Sequence, residues 1–161
     1  MADDERYTFS SLMTLLIECE RKLQQHYQKA STTMHNLELT SLLAEYAKEI
    51  SQSIELMQKA RVETVVEMAL EPITDLKLAE TVRSIDGEIE VGYVQELVII
   101  ERTVSQLYLQ ASPKVANMSA EASELLKRLS RDSVERAHKL AQVPACHGDS
   151  HYGGSPCSGG H

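Results

Sequence analysis

Proline and glycine, the residues that end helices, are scarce through most of this chain. Before residue 144 the only examples are Pro72, Pro113, Gly87 and Gly92, whereas five of the seven glycines follow residue 147. Between these breaks the chain is rich in Leu, Glu, Lys, Gln and Ala, with apolar residues recurring at helical spacing. A long chain with so few stops folds as long helices. The spacing predicts helices over roughly residues 5–30, from between Thr33 and Asn36 to 68, 88–111 and 119–142, and a shorter one over 75–85, capped at Thr74 or Asp75 and ended by Asp86-Gly87. Pro72 and Ser112-Pro113 should close the second and third long helices, because a residue before proline avoids the α region.

The first and second long helices are joined by few residues, and so are the third and fourth. Each pair is therefore an antiparallel hairpin. The stretch from about Leu70 to Gly87 is long enough to carry the chain from one hairpin to the other. The expected fold is all-α: a four-helix up-down bundle of two antiparallel hairpins with a long crossover carrying a short helix. With one Phe and no Trp, its core must be aliphatic. Residues 1–143 would form this bundle, and 144–161 a flexible Gly/Cys/His-rich tail.

The bulk charge narrows the partners. A formal net charge of −8, with no basic cluster, argues against nucleic acid. No apolar run approaches the ~20 residues that span a bilayer. The N-terminus, MADDERYTFSS, is acidic where a signal peptide would be basic. The expectation is a cytoplasmic protein without membrane contact.

The two hairpins resemble each other. The first helix reads LLIECERKLQQHYQKAS and the third LVIIERTVSQLYLQAS. Each has a Glu followed seven residues later by a Tyr: Glu20 and Tyr27, Glu101 and Tyr108. Seven residues is close to two helical turns, so Glu and Tyr share a stripe. That stripe is apolar, with Phe9, Met13, Leu16 and Leu23 around Glu20, and Val94, Leu97 and Val104 around Glu101. A solvated Glu would sit on the opposite face. A single case is commonly a long side chain reaching for water; two at equivalent positions of a repeat point to the core. Cys19 falls at the edge of the stripe, where a buried inert thiol is expected.

On these residues the chain resembles the ferritin-like superfamily, and rubrerythrin-type proteins in particular, over roughly residues 8–142. That resemblance implies two hairpins joined by a crossover, a homodimer, and an iron or manganese centre reacting with oxygen or peroxide. It would make Glu20 and Glu101 metal ligands, with Tyr27 and Tyr108 beside them and a redox partner whose identity the sequence does not carry. In the family the second and fourth helices each add E-x-x-H. Glu135-Arg136-Ala137-His138 spells that motif, and Glu49-Ile50-Ser51-Gln52 matches it with Gln for His.

The hydrophobic period favours a different register. The apolar stripe of the fourth helix runs through Ala122, Leu125, Leu126, Leu129, Ala137 and Leu140, so Glu135 and His138 lie on its outer side. The stripe of the second runs through Leu39, Leu43, Ala47, Ile50, Ile54 and Met57, and Glu49 faces away. Aligned by burial to the family's L-A-x-x-E-x-x-H-A, the ligand positions fall on Ala47 and Ile50, and on Ser133 and Arg136. Glu20 and Glu101 would then lack their co-ligands, and leaving buried carboxylates uncompensated costs several kcal/mol each. Three outcomes would relieve that cost: a fork from Arg136, a shared proton, or a single metal completed by waters. The expectation is the first, with the second alongside it. The function then lies between an iron- or manganese-dependent protein and a non-enzymatic bundle with a degenerate site, acting as a structural or interaction module.

The tail, PACHGDSHYGGSPCSGGH, holds Cys146, His147, His151, Cys157 and His161. These could meet on one Zn²⁺, Cu²⁺ or Ni²⁺ ion, although the spacing matches no established zinc or iron–sulfur pattern. No nucleophile–base spacing or phosphate-binding glycine loop occurs.

Overall fold

The computed structural model describes residues 5–63, 72–76, 78–86 and 94–143. Within them the protein is predominantly helical, with five helices and one short two-stranded ribbon. Helix α1 spans Phe9–Thr33. It starts at a reciprocal cap: the Thr8 hydroxyl accepts from the Ser11 N–H (3.0 Å) and the Ser11 hydroxyl from the Thr8 N–H (2.8 Å). Two of the helix's otherwise unsatisfied donors are met this way, with Ser where a Glu or Gln is more usual. Helix α2, Leu37–Glu63, begins where the Asn36 side chain accepts from the Leu39 N–H (3.0 Å). Strand β2 (Ile73–Leu76) and helix α3 (Ala79–Asp86) follow. Helix α4 spans Val94–Val115 and α5 Ala120–Ala141, the latter capped by Ser119 on the Ala122 N–H (3.0 Å).

Three local expectations change. Glu5–Tyr7 is not the first turn of a helix but strand β1, paired antiparallel with β2. Ile73 and Leu76, expected at a helix start, lie in β2 with both side chains buried, so the short helix begins at Ala79 rather than near Asp75. Helix α4 runs through Pro113 for a further turn, where Val115 is fully buried; packing that side chain offsets the backbone hydrogen bond that proline removes. The expected end of the second helix near Met68 and start of the third near Glu88 fall outside the described residues, as do Gly87 and the tail with Cys146, His147, His151, Cys157 and His161.

Within each helix pair the register is antiparallel. Gln24 donates to the Ala47 carbonyl (3.3 Å) and Arg61 to the Thr14 hydroxyl (2.8 Å), tying α1 to α2 near mid-length and near the start of α1. On α4 and α5, Ser105 meets Ser130 (2.8 Å) and Ser112 meets Ser123 (3.0 Å). These small side chains let the two backbones approach, and their hydroxyls satisfy each other where water is excluded. The pairs join through α1 against α4 and α2 against α5, with α3 packed on both α1 and α4. The His26 ring Nε2 donates to the Ile85 carbonyl (3.0 Å), securing the last turn of α3 on α1.

The core is aliphatic as composition requires. Leu12, Leu16 and Leu23 of α1, Leu43 and Ile50 of α2, Leu97 and Val104 of α4 and Leu126 of α5 are all fully buried. Each contributes on the order of 2 kcal/mol by leaving water. Among the described residues no helix is long and apolar enough to cross a membrane.

Candidate functional site: a buried arginine, two carboxyls and three tyrosines

The apolar stripes of α1 and α4 carry Glu20 and Glu101 into the interior, where they are 1% and 0% exposed. Their heptad tyrosines cross over. Tyr27 of α1 donates to Glu101 Oε2 of α4 (2.5 Å), while Tyr108 of α4 lies beside Glu20 of α1. Residue 27 therefore meets 101 and residue 20 meets 108, which requires α1 and α4 to run in opposite directions. The repeat seen in the sequence becomes an approximate two-fold arrangement of Glu and Tyr.

One residue breaks that symmetry. Arg136 of α5, 4% exposed, spreads its guanidinium over Glu101 with Nε donating to Oε2 (2.6 Å) and Nη2 to Oε1 (3.3 Å). Nη2 also reaches the Ser133 hydroxyl (3.4 Å), and Nη1 lies 3.5 Å from Glu49 Oε1. Burial alone would weaken the arginine's hold on its proton; Glu101, joined by Glu20 and Tyr27, outweighs it and pushes the pKa upward, so the guanidinium stays charged. The position on α2 corresponding to Arg136 is Ile50, which is buried and has no charge to offer.

Glu20 is left without such a partner. Neither of its carboxyl oxygens accepts a hydrogen bond, nor does the Tyr108 hydroxyl make one. Tyr108 is near enough to favour the ionised carboxyl, yet no hydrogen bond closes between the two. Desolvation dominates, and with the nearby Glu101 and Asp132 it outweighs the pull of Arg136 and Tyr108. The Glu20 pKa is raised from 4.5 to about 7. Burial, and then the adjoining carboxyl, pushes Tyr27 and Tyr108 well above their ordinary value. Both phenols stay protonated and can act only as donors to the carboxyls.

The remaining sequence candidates lie apart. Glu135 and His138 are exposed on the outer face of α5, where Glu135 meets Lys139 (3.4 Å) and His138 meets Gln142 (3.1 Å). Glu49 is half-exposed. The inward positions of α2 and α5 are held by Ala47, Ile50, Ser133 and Arg136, all buried. A two-metal carboxylate centre draws on four carboxylates and two imidazoles aimed at one axis. The residues around Glu20 and Glu101 do not fit one: among the described residues no imidazole reaches them, Glu101 is already held by a guanidinium and a phenol, and the guanidinium would repel a dication. Among the described residues no three His, Cys, Asp or Glu side chains are grouped to hold a metal ion.

Periodicity did not single out Tyr46 or the cleft beside it. Tyr46 of α2 is 3% exposed and stacks edge-on against Tyr27, with ring centroids 5.9 Å apart. Its hydroxyl has no hydrogen-bond partner. Tyr46 and Arg136 form the floor of a cleft of about 330 Å³ between α2 and α5. Glu49, Asp132 and Glu135 line it with acid, Arg128 and Lys139 with base. The signal for Tyr46 was its place one residue before Ala47 on the inner edge of α2. Comparison with family models, characterised proteins and solved structures finds no match. The class these observations define is thus a predominantly helical protein with a charge-paired polar cluster in its core.

Proposed function

We propose that the chain is a ferritin-like four-helix bundle of two antiparallel hairpins, running up-down-down-up, whose metal centre has been replaced by an internal arginine, and that it acts as a binding or structural module rather than an oxidase. What supports the arrangement is the helix order, the antiparallel pairs and the crossed Glu–Tyr repeat. What carries the functional reading is the Arg136–Glu101 fork: a buried cation neutralises the carboxylate that a metal would need. On this reading the protein is cytoplasmic and pairs as a homodimer, with Ile99 and Leu109 exposed on α4 as apolar contact residues. Sedimentation of the full chain tests that pairing. The Cys/His tail is an independent metal ligand set.

The test is metal content of the tag-free full-length protein beside a Cys146→Ser/Cys157→Ser variant, each dialysed against iron or manganese. Neither protein should retain stoichiometric iron or manganese in its core. Near two equivalents held by both would overturn the proposal and return Glu20 and Glu101 to the role of ligands. The second reading, a single iron or manganese ion at the core, is favoured only by the unpartnered Glu20 oxygens and Tyr108 hydroxyl. It predicts metal that survives the cysteine substitutions and is lost in Glu20→Gln.

A further inference from the structure

The α2/α5 cleft combines features that the core cluster does not need. Its volume, about 330 Å³, is at the small end of the roughly 300–1,000 Å³ typical of ligand pockets. Tyr46 and Arg136, both buried and both carrying donors, line its floor. The Tyr46 hydroxyl is buried without a partner, and a buried unpartnered phenol costs about 1–3 kcal/mol unless something fills the position. Among the described residues, Arg136 Nη1 has only the long 3.5 Å contact to Glu49, a side chain that is 46% exposed and able to turn away.

The charges above this floor have both signs. Arg136 is balanced from below by Glu101, so the cleft itself sets Arg128 and Lys139 against Glu49, Asp132 and Glu135. A simple anion would use the floor donors but leave the acidic wall without a new partner. A diamine would pair with the acids and leave Tyr46 unsatisfied. A small molecule carrying both charges serves the floor donors and an acid of the wall together.

We propose that this cleft binds a free α-amino acid as its zwitterion, with the carboxylate on the Tyr46 hydroxyl and Arg136 Nη1 and the ammonium on Glu49. The side chain would lie outward along Leu56, which is partly exposed at the cleft wall. No bond is made or broken; binding is an exchange of hydrogen bonds in which Glu49 passes from the guanidinium to the ligand's ammonium. The proposal extends the reading of the bundle as a binding module and fails separately from it. Metal analysis reports on the core, whereas amino-acid titration reports on the cleft.

The experiment is calorimetric titration of the full-length protein with each protein amino acid at millimolar concentration, beside acetate and putrescine. The expected result is saturable binding of one or a few amino acids that neither acetate nor putrescine reproduces. Tyr46→Phe keeps the ring stacked on Tyr27 and removes only the hydroxyl. It should melt no lower than the parent yet bind roughly three- to tenfold more weakly, the value of one neutral hydrogen bond. Glu49→Gln should weaken the amino acid as well. Equal binding of acetate would overturn the zwitterion assignment, as would unchanged affinity in Tyr46→Phe. No binding by any amino acid would overturn the site itself and leave the cleft to water.

Discussion

A carboxyl group taken out of water keeps its proton more tightly, and Glu20 has no hydrogen bond to oppose that. In the unfolded chain it titrates near 4.5 and in the fold near 7. Between those values the folded protein binds more protons than the unfolded one. Stability from this residue is therefore full below about pH 4.5 and lost as pH rises through about 7, a change of roughly 3 kcal/mol. Glu20→Gln should be more stable than the parent by about that amount above pH ~7, and close to it below pH ~4.5. Comparing the two proteins cancels the titration of all other groups; a constant difference across the range would refute the assignment. Arg136 behaves oppositely, since its removal strands Glu101 beside Tyr27 in the core. Arg136→Ala should cost about 3–5 kcal/mol in urea unfolding, and Arg136→Lys less, because it keeps the charge but loses the fork. An Arg136→Ala protein with the parent's midpoint would show that the fork carries no stability.

Between helices, the clearest test lies on the α4–α5 seam. Ser105 and Ser130 satisfy each other in a buried position, 2.8 Å apart. Ser130→Ala leaves the Ser105 hydroxyl unpartnered, at a cost of about 1–3 kcal/mol, Ser105→Ala leaves Ser130 its bond to the Ser105 carbonyl (3.2 Å), and replacing both removes the polar groups together. The double variant should therefore unfold at a higher urea concentration than the sum of the two single losses predicts. Additive losses would mean that the two hydroxyls do not depend on each other. At the start of α1 the reciprocal Thr8–Ser11 cap was hidden by the preceding Glu5–Tyr7, which reads as a continuation of the helix until β2 is there to pair with it. The helix starts at Asn36 and Ser119 were legible, because a capping side chain acts on its own neighbours in sequence.

The whole molecule is tied together through one cluster. Arg136 links α5 to α4 through Glu101 and to α2 through Glu49, and Tyr27 brings in α1. Four helices that share a buried ion pair should not unfold separately. Far-ultraviolet circular dichroism and tyrosine fluorescence are expected to give one coincident urea transition, and Glu101→Ala to shift both equally. Two resolved transitions would show that the hairpins are independent units.

The helical period by itself determined the long helices, the burial of Glu20 and Glu101, and the inward face of α2 and α5. Each of these depends on which side of one helix is apolar, and that is written at spacings of three and four residues. Tertiary structure alone decided that Tyr27 meets Glu101 and not Glu20, and that Arg136 settles on Glu101. It also decided that the serines of α4 and α5 pair, that Ile73–Leu76 becomes a strand, and that Tyr46 and Arg136 share a cleft. Those outcomes join residues dozens of positions apart, where no local period records the partner and only the packing of the helices brings the groups within reach.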